Sequence, residues 1–383
     1  MPDYPSIVLI LQPYNYETDN LKTKTTLLFF LTAVLTFGQA TRKYSNEFLN
    51  IGVDARAFAM GNAVVANISD VNAAYWNPAG LTEVFDGWQL SAMHAEYFQS
   101  IAKYDYAAVA IPLQNNATVG FSLYRFGVDD ILNTTELIDA QGNIDYDRIS
   151  KFSTADYALS MSYAGNFLGN SDITVGANAK LVYRHIGKFA KSFGFGLDLG
   201  FQYRTQDEFY FGLMARDITT TFNVWAINEK ELNKITVTEP GTGHQETVNE
   251  MPDENIELTL PKLQFGVAKN FQLGEYFNIL GEVDLNMRFA QTNDLISTSF
   301  ISLTPSVGFE IGYDDMVFLR GGVNNFQFER TFDDDKRMTF QPSAGVGFRY
   351  KGIAVDYALT NFGDQNVALY SNIISLKIDL GAF

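Results

Sequence analysis

The stretch Phe195-Gly196-Leu197-Asp198-Leu199-Gly200-Phe201-Gln202-Tyr203 decides the fold. Large apolar side chains occupy its odd positions, and small or polar side chains occupy its even positions. Successive residues of a β-strand point to opposite faces of the sheet, so this alternation predicts a strand with one apolar and one polar face. Residues 173–181 alternate in the same way, with Asn178 and Lys180 on the polar face.

Alternating segments separated by turn residues fill the chain from Asp86 onward. We count fourteen of them, the first at 86–97 and the last at 372–383. An even number of amphipathic strands is typical of a single-chain outer-membrane barrel. A strand of about twelve residues, at about 3.3 Å per residue and a tilt of about 40°, rises about 30 Å and can cross a membrane. The sequence therefore predicts an all-β fold, a transmembrane antiparallel β-barrel of about 14 strands over residues 86–383.

The lengths of the connections support this prediction. Connections after even-numbered strands are short, whereas the long ones, such as 129–151 and 218–257, follow odd-numbered strands. Outer-membrane barrels have short periplasmic turns and long outer loops. We therefore expect a multi-pass barrel in the cell outer membrane with its N- and C-termini in the periplasm.

The last predicted strand carries a further signal. A closed barrel needs this strand to pair with the first one, so that no edge faces lipid. A terminal aromatic residue on an amphipathic strand also resembles the signal that the outer-membrane insertion machinery reads. The predicted barrel-insertion signal consists of Leu376, Ile378, Leu380 and Phe383.

The N-terminal region predicts a secretory signal peptide over residues 1–40. Lys22 and Lys24 precede an apolar run at 27–37, and the small-residue exit Gly38-Gln39-Ala40 follows it. The run is too short to span a bilayer as a mature helix. Cleavage is expected after Ala40, and a start codon assigned too far upstream would account for the extra N-terminal residues.

Composition excludes several classes of function. The chain has 383 residues, a net charge of −17 and no cysteine. The missing cysteine rules out disulfides and thiolate metal sites, and the acidic balance argues against a nucleic-acid partner. His94, His185 and His244 lie on separate segments, and no nucleophile motif or phosphate loop accompanies them. We therefore expect no metal, no cofactor and no enzymatic activity.

The segment at 41–85, between the signal peptide and the barrel, does not alternate. Asn77 followed by Pro78 predicts a helix N-cap and a preset first turn. The segment is therefore expected to place a short helix in the lumen and to plug the barrel as an N-terminal hatch.

Two motifs in this segment carry a family resemblance. The pattern R-A-x-x-M-G at 56–61, with N-P-A-G-L at 77–81, resembles the PorV/PorQ family of Bacteroidota outer-membrane proteins. The resemblance covers nearly all of the mature chain in its layout, although N-P-A-G-L also occurs in the related FadL-type fatty-acid transporter barrels. It implies a hatch-bearing barrel of the type IX secretion system. The hatch motif that it implies consists of Arg56, Met60, Gly61, Asn77, Pro78, Ala79 and Gly80.

The resemblance also implies partners. PorV-like members bind the C-terminal signal domains of secreted proteins that leave the large translocon barrel, and they shuttle this cargo to surface attachment. The long loop at 218–257 is more similar to a PorV-type variant than to a PorQ-type one. It mixes acids, which would steer a partner, with apolar residues that would anchor it; the alternative is an acidic loop that only solvates the surface. The predicted cargo anchors are Phe222, Trp225, Ile227 and Leu232.

An alternative function is a FadL-like transporter of hydrophobic small molecules. Its lumen pocket would open sideways through a kinked strand next to the hatch. Such a lumen should be apolar, yet polar side chains at the inward positions favour a water-filled or plugged lumen and hence the binding barrel. A general porin is disfavoured because a hatch would obstruct conduction. The polar inward positions include Asn178, Lys180, Asp198, Gln202, Lys377 and Asp379.

Overall fold

The structure is a computed structural model, and part of the chain lies outside its description. The predicted signal peptide at 1–40, Leu232, His244 and Phe383 fall in that part. The described residues are 45–98, 100–114, 116–134, 137, 143–228, 231, 236–238, 245–247, 256–330, 335–360 and 371–382.

Strands dominate the described residues. They are β1 Gln89–Tyr97, β2 Ala102–Pro112, β3 Thr118–Asn133, β4 Ser150–Phe167, β5 Asn170–Ile186, β6 Ala190–Arg204, β7 Phe209–Arg216, β8 Thr221–Ile227, β9 Thr236–Thr238, β10 Gln245–Thr247, β11 Ile256–Thr259, β12 Lys262–Leu273, β13 Phe277–Arg288, β14 Ile296–Ser297, β15 Ser302–Tyr313, β16 Val317–Arg330, β17 Lys336–Tyr350, β18 Ile353–Thr360 and β19 Ser371–Asp379.

The helices of the described residues are short: two are α-helical and four are 3₁₀ segments. No helix among the described residues is long and apolar enough to cross a membrane. The helices are α1 Ala55–Ala59 and α2 Ala73–Trp76, and the 3₁₀ segments are Glu47–Asn50, Pro78–Glu83, Tyr146–Arg148 and Leu380–Ala382.

The strands form one closed antiparallel barrel, which confirms the predicted fold class. β1 pairs with β2 on one side and with β19 on the other, from Gln89 opposite Asp379 to Glu96 opposite Asn372. The barrel has 14 strands, because β7 and β8 together form one strand of the wall and β11 and β12 together form another. One end carries only short turns, and we call it the short-turn end. Its turns join β2 to β3, β4 to β5, β6 to β7, β12 to β13, β15 to β16 and β17 to β18.

The seventh and eighth barrel strands differ from the prediction. The predicted loop at 218–257 is too long, because β8 and β11 continue the wall at both of its ends. Residues 217–220 separate β7 from β8, and residues 260–261 separate β11 from β12. The two gaps lie side by side, since Arg216 opposes Lys262 and Thr221 opposes Thr259. We call these two gaps the wall interruption. Asp217 and Thr220 have φ of 53° and 58°, so regular pairing cannot pass through them.

The two faces of the wall follow the predicted alternation. Leu199 is 50 % exposed on the outer face, whereas its neighbour Asp198 is 2 % exposed on the inner face. Exposed leucine, phenylalanine and tyrosine side chains recur on the outer faces of the other strands, as expected for a surface that contacts lipid. The inner face packs against residues 45–84, which fill the lumen and which we call the hatch.

Candidate functional site: the hatch and the lumen wall

The first hatch motif holds α1 against β15 and β16. The Asp54 carboxylate caps α1 by accepting a hydrogen bond from the Arg56 backbone N–H at 3.3 Å. Gly61 follows the helix with a φ of +63°, and a Cβ there would lie 2.6 Å from the Val323 backbone nitrogen. Only glycine fits this left-handed position at so close an approach. The motif therefore encodes a tight contact between the hatch backbone and the barrel wall.

Arg56 joins the hatch to a buried ionic network. Its Nε and Nη2 donate to the two Glu310 oxygens on β15 at 2.9 and 3.2 Å. Glu310 also pairs with Arg320 on β16, and Arg320 Nη1 lies 2.5 Å from Asp356 Oδ1 on β18. Fork-shaped arginine contacts of this kind fix geometry as well as charge. The network ties α1 to three wall strands.

Two further hatch carboxylates have shifted pKa values. Burial, reinforced by the negative charges of Asp356 and Asp70, raises the pKa of Asp54 to about 6. Burial acts in the same direction on Asp70, but the adjacent Lys377 ammonium outweighs it and lowers the pKa of that carboxyl. Lys377 on β19 pairs directly with Asp70, and Ser375 Oγ donates to Asp54 at 2.8 Å. The predicted inward position of Lys377 is therefore confirmed, and it holds the hatch.

A pair of wall acids receives the hatch backbone at 64–66. The backbone N–H groups of Val64 and Val65 donate to Asp284 Oδ2 at 3.0 and 3.1 Å, and that of Ala66 donates to Glu282 Oε1 at 2.6 Å. Both acids lie on β13 and are almost fully buried. Three consecutive backbone donors on two side chains make this one of the most directional contacts of the hatch.

The second hatch motif forms the predicted cap. Asn77 caps the 3₁₀ segment Pro78–Glu83 by accepting from the Ala79 N–H at 3.3 Å, and Pro78 occupies its first turn. The Asn77 Nδ2 group also donates to Val65 O at 2.9 Å and to Phe201 O on β6 at 3.1 Å. A Cβ on Gly80 would lie 2.1 Å from Ile68 O. The capped segment is thus locked both to the rest of the hatch and to the wall.

The wall interruption is anchored by a buried lysine. Lys180 Nζ lies 2.7 Å from Asp198 Oδ1 and 2.7 Å from Asp217 Oδ1. Asn178 donates to the α2 carbonyl of Ala74 at 3.0 Å and to Asp198 at 3.3 Å. The predicted inward positions on β5 and β6 therefore do not line an open channel, because they bind the hatch and the interrupted strand.

Arg216, the last residue of β7, connects the interruption with α2. Its Nη2 donates to Tyr75 O at 2.9 Å, and its Nε donates to Gln264 at 2.6 Å. Its guanidinium also lies 4.4 Å from the centre of the Tyr75 ring, which adds a cation–π contact. The C-terminal end of α2 is thereby held next to residues 217–220.

The inner faces of β1–β3 differ from the rest of the lumen. Tyr104 and Phe126 lie 6.0 Å apart between ring centres, Tyr106 and Tyr124 lie 5.2 Å apart, and Tyr75 of α2 lies 5.9 Å from Tyr124. The Tyr104 hydroxyl is buried without a hydrogen-bond partner. We call this surface the aromatic sector, and we call the remaining hatch-binding surface on β5–β7 and β12–β19 the polar sector. The aromatic sector consists of Tyr97, Tyr104, Tyr106, Tyr124 and Phe126.

A cavity of about 480 Å³ remains beside the hatch at the short-turn end. Polar groups dominate its lining, and Gln202 there donates to Val65 O and Ile68 O at 3.2 and 3.0 Å. The lining includes Asn67, Glu83, Asp172, Gln202, Arg204, Asn270 and Glu310. This lining suits water or a polar solute, and it offers little surface to an apolar ligand.

The predicted cargo anchors do not form one surface. Phe222 is 46 % exposed on the outer face of β8. Trp225 and Ile227 belong to the opposite, inner face of the strand, and the Trp225 ring lies 5.2 Å from the Arg184 guanidinium. Their assignment to a loop is wrong, because the alternation of 221–227 continues the barrel wall beyond the interruption. Whether any of them contacts cargo remains a prediction.

Other predicted sites are dispersed. Leu376 and Ile378 lie on the outer face of β19, and Leu380 follows in the terminal 3₁₀ segment. His94 lies on the outer face of β1, and His185 lies on that of β5. Within the described parts of the chain, no group of three or more metal-ligating side chains is placed to hold a metal ion.

Sequence reasoning missed the aromatic sector. Tyr104 and Tyr106 alternate with Lys103, Asp105 and Ala107. The sequence shows this alternation, but it predicts that the tyrosines face lipid, since the outer faces of such barrels are normally the apolar ones. The structure turns them inward.

No protein-family model and no curated protein sequence matches the chain. Among solved structures, the Ralstonia pickettii toluene transporter TbuX is 14 % identical, with a TM-score of 0.53, and the match covers 86 % of this chain and 98 % of that one. The Pseudomonas putida toluene transporter TodX is 12 % identical, with a TM-score of 0.50 over 86 % and 99 % of the two chains. A Pseudomonas aeruginosa FadL homologue is 10 % identical, with a TM-score of 0.46 over 85 % and 98 %. At these identities the likeness to TbuX and TodX establishes a shared barrel fold.

Proposed function

We propose that this chain is an outer-membrane barrel that transports small hydrophobic molecules and is gated by its hatch. The observation that carries this proposal is the position of α2 between the aromatic sector and the wall interruption. Tyr75 packs on Tyr124 on one side and is held by Arg216 on the other. Withdrawal of α2 would uncover an aromatic surface and the interrupted wall in one movement.

The aromatic sector supplies the chemistry that such a cargo requires. Burying apolar surface contributes about 25 cal/mol per Å², and aromatic ring pairs add about 0.5–1.5 kcal/mol each. Tyr106 and Tyr124 now bury their rings against each other and against the hatch. A small hydrophobic molecule could replace the hatch side chains on this surface with little loss of contact.

The polar inward residues do not count against transport. Asn178, Gln202 and Lys377 each bind a hatch group. Their role is to hold the plug, so the polarity that favoured a binding barrel in the sequence has a different cause. Support also comes from TbuX and TodX, which are described as toluene transporters and share the fold. We propose no catalytic step and no cofactor for this function.

Uptake of N-phenylnaphthylamine tests the proposal. This hydrophobic aromatic dye is excluded by an intact outer membrane and fluoresces once it reaches the interior of the envelope. Cells that produce the barrel should take up the dye faster than cells that carry an empty vector. Hydrolysis of nitrocefin by a periplasmic β-lactamase, which reports entry of a polar solute, should stay unchanged. Dye uptake at the vector rate, or an equal rise in both signals, would refute selective transport.

A second candidate is the type IX adaptor that the hatch motifs imply. It is supported by the resemblance at 56–61 and 77–81 and by the connection at 228–255, which is the longest between barrel strands. The partners would be the translocon barrel and the C-terminal signal domains of secreted proteins. Pull-down of the tagged protein from native outer membranes in mild detergent tests it. Co-purified translocon or cargo would support the adaptor, whereas the barrel alone with bound hydrocarbon would support the transporter.

A further inference from the structure

The apolar belt on the outer face of the barrel is tall on most sides. On β6 the outward side chains are apolar from Tyr203 to Phe193, and on β13 from Phe277 to Met287, apart from Gly281. Ten residue steps at about 3.3 Å and a tilt of about 40° correspond to a height of about 25 Å. That is about the height of the apolar band of a transmembrane barrel.

The belt is much lower where the barrel closes. We call the outer faces of β19, β1, β2 and β3 the low wall. Counted from the short-turn end, with the exposed Trp88, Leu113 and Leu380 that flank the strands included, its outward apolar side chains extend over only four to six residue steps, or about 10–15 Å. These runs are Leu380–Ile374 on β19, Trp88–Ala92 on β1, Leu113–Ala107 on β2 and Val119–Leu123 on β3.

Polar side chains replace the apolar ones at the next outward position of all four strands. Those on β1, β2 and β3 are joined to one another: His94 Nδ1 lies 2.7 Å from Asp105 Oδ1, and Arg125 Nη1 lies 3.3 Å from Asp105 Oδ2. On β19 the outward Asn372 accepts a hydrogen bond at 2.6 Å from the Tyr357 hydroxyl of β18. The His94 and Asp105 side chains remain 48 % and 43 % exposed.

Charges on a lipid-facing wall are costly. Lysine or arginine at the bilayer midplane costs about 2–4 kcal/mol, and the cost falls to about 0–1 kcal/mol near the interfaces. Local thinning of a bilayer costs only fractions of a kcal/mol per Å. A bilayer of full thickness would submerge the linked charges of His94, Asp105 and Arg125, whereas a thinned one would leave them at its surface. A tyrosine that hydrogen-bonds at the same level, as Tyr357 does, is typical of a membrane interface.

We infer that the low wall thins the bilayer leaflet at the end opposite the short turns, so that lipid headgroups and water descend along β19–β3 to the His94–Asp105–Arg125 row. The occupant of this surface is the headgroup layer. The inference requires only a membrane-spanning barrel and is independent of transport. The competing arrangement is a bilayer of full thickness that reaches the β1–β2 turn, where Phe98 and Ile101 are 50 % and 64 % exposed.

Spin labelling tests the inference, and the natural absence of cysteine makes single labels simple to place. Glu96→Cys on β1 and Ala179→Cys on β5 lie six residue steps above the first outward residue of their strands, so they form a matched pair. A second pair, Lys103→Cys on β2 and Leu181→Cys on β5, lies eight steps above it. The full mature chain, labelled with nitroxide, is reconstituted in vesicles of phosphatidylethanolamine and phosphatidylglycerol. Heat-modifiable gel mobility confirms that each variant is folded.

The measured quantity is the accessibility of each nitroxide to a water-soluble nickel chelate relative to oxygen, which concentrates in hydrocarbon. The ratio at 96 and at 103 is expected to be severalfold higher than at 179 and at 181. Equal ratios within each pair would show a belt of uniform height and overturn the inference. Exclusion of both reagents at 96 and 103 would also overturn it, because a second protein chain would then cover the low wall.

Discussion

The two sectors of the lumen hold the same hatch by different means. In the polar sector, Arg56 binds Glu310 through two hydrogen bonds, and the backbone of 64–66 binds Glu282 and Asp284. In the aromatic sector, the contact between Tyr75 and Tyr124 is one of rings, with no hydrogen bond between them. One side is directional and charged, and the other is apolar and tolerant of sliding.

This difference indicates where the hatch would part from the wall. Removing one partner of a buried ion pair lowers stability by about 3–5 kcal/mol, whereas an aromatic pair contributes about 0.5–1.5 kcal/mol beyond its buried area. An apolar ligand can also replace ring contacts, but it cannot replace a carboxylate. The hatch should therefore open at the aromatic sector while the polar sector acts as its hinge.

Glu310→Leu should have the largest effect on the polar sector. It leaves the buried Arg56 guanidinium without its ion-pair partner, with a hydrogen bond of 3.3 Å to Asn67, and it removes one of the two partners of Arg320. The expected loss is about 3–5 kcal/mol in the free energy of hatch unfolding. Urea titration of a Trp76-only background (Trp88→Phe, Trp225→Phe) reports it, because Trp76 is buried in the hatch and donates to Val53 O.

The matched control is Tyr106→Phe in the same background. It alters only a hydroxyl of the aromatic sector and is expected to shift the urea midpoint little. A larger shift for Tyr106→Phe than for Glu310→Leu would reverse the proposed order of the two sectors.

Acidification should stabilise the hatch through Asp54. The folded pKa of about 6 lies above the ordinary value of 3.8, so the folded state holds the proton more tightly than the unfolded state. The stability from this group is therefore fully present below about pH 4 and is lost as pH rises through 6. Each pKa unit corresponds to about 1.4 kcal/mol, which gives at most about 3 kcal/mol. In Asp54→Asn the slope of the Trp76 urea midpoint between pH 4 and 7 should be reduced; an unchanged slope would assign the effect to other groups.

Gly322→Ala should loosen the contact of β16 with the first hatch motif. A Cβ there would lie 2.2 Å from the Met60 carbonyl carbon and 2.3 Å from the Gly61 nitrogen, both backbone atoms. Overpacking of this kind typically costs about 1–3 kcal/mol. Gly281→Ala is the control, because no atom lies within 4 Å of the Cβ that it would add. Equal urea midpoints for the two variants would show that the close contact between Gly322 and the backbone of 60–61 is not required for stability.

Asn77→Ala should have the smallest of these effects. It removes the cap of the 3₁₀ segment and the two hydrogen bonds from Nδ2, for a loss of about 1–2 kcal/mol. Asn77→Ser keeps a capping oxygen, adds no buried charge and loses the two donors, so its loss should be of intermediate size. A loss in Asn77→Ser as large as that in Asn77→Ala would show that the cap contributes nothing.

The sequence was sufficient for the barrel and for one capped turn of the hatch. Alternation gave the number of strands, and Asn77-Pro78 gave the capped turn. Contacts between distant residues were not predictable, because nothing local marks Glu310 as the partner of Arg56. The 218–257 loop was assigned too long because the irregular residues 217–220 hide the renewed alternation after Thr221.

Function was harder to predict than fold, because polar residues that face the lumen can either line a water-filled channel or bind a hatch. Lys180 and Asp198 were correctly placed in the lumen, but their bond to each other and to Asp217 is visible only in three dimensions. The alternation of Tyr104 and Tyr106 with charged residues favours the lipid face for the tyrosines, whereas the structure turns them inward. The aromatic sector, and with it the case for transport, therefore emerged only from the structure.

Two engineered disulfides test most directly whether the hatch parts at the aromatic sector. Ala74→Cys with Gly120→Cys would lock α2 to β3, since the two Cβ positions lie 3.6 Å apart, and Ala66→Cys with Gly266→Cys would lock the hatch to β12, with Cβ positions 3.2 Å apart. Disulfides normally need Cβ atoms about 3.5–4.5 Å apart, so the first fits directly. The second needs a small shift of the hatch and a rotation of the Asp284 side chain, because Asp284 Oδ1 lies 2.4 Å from the Gly266 Cβ position. The account predicts that oxidation of the first pair abolishes dye uptake, reversibly on reduction, while the second pair retains it. Retained uptake with the first lock, or loss with the second alone, would contradict the account.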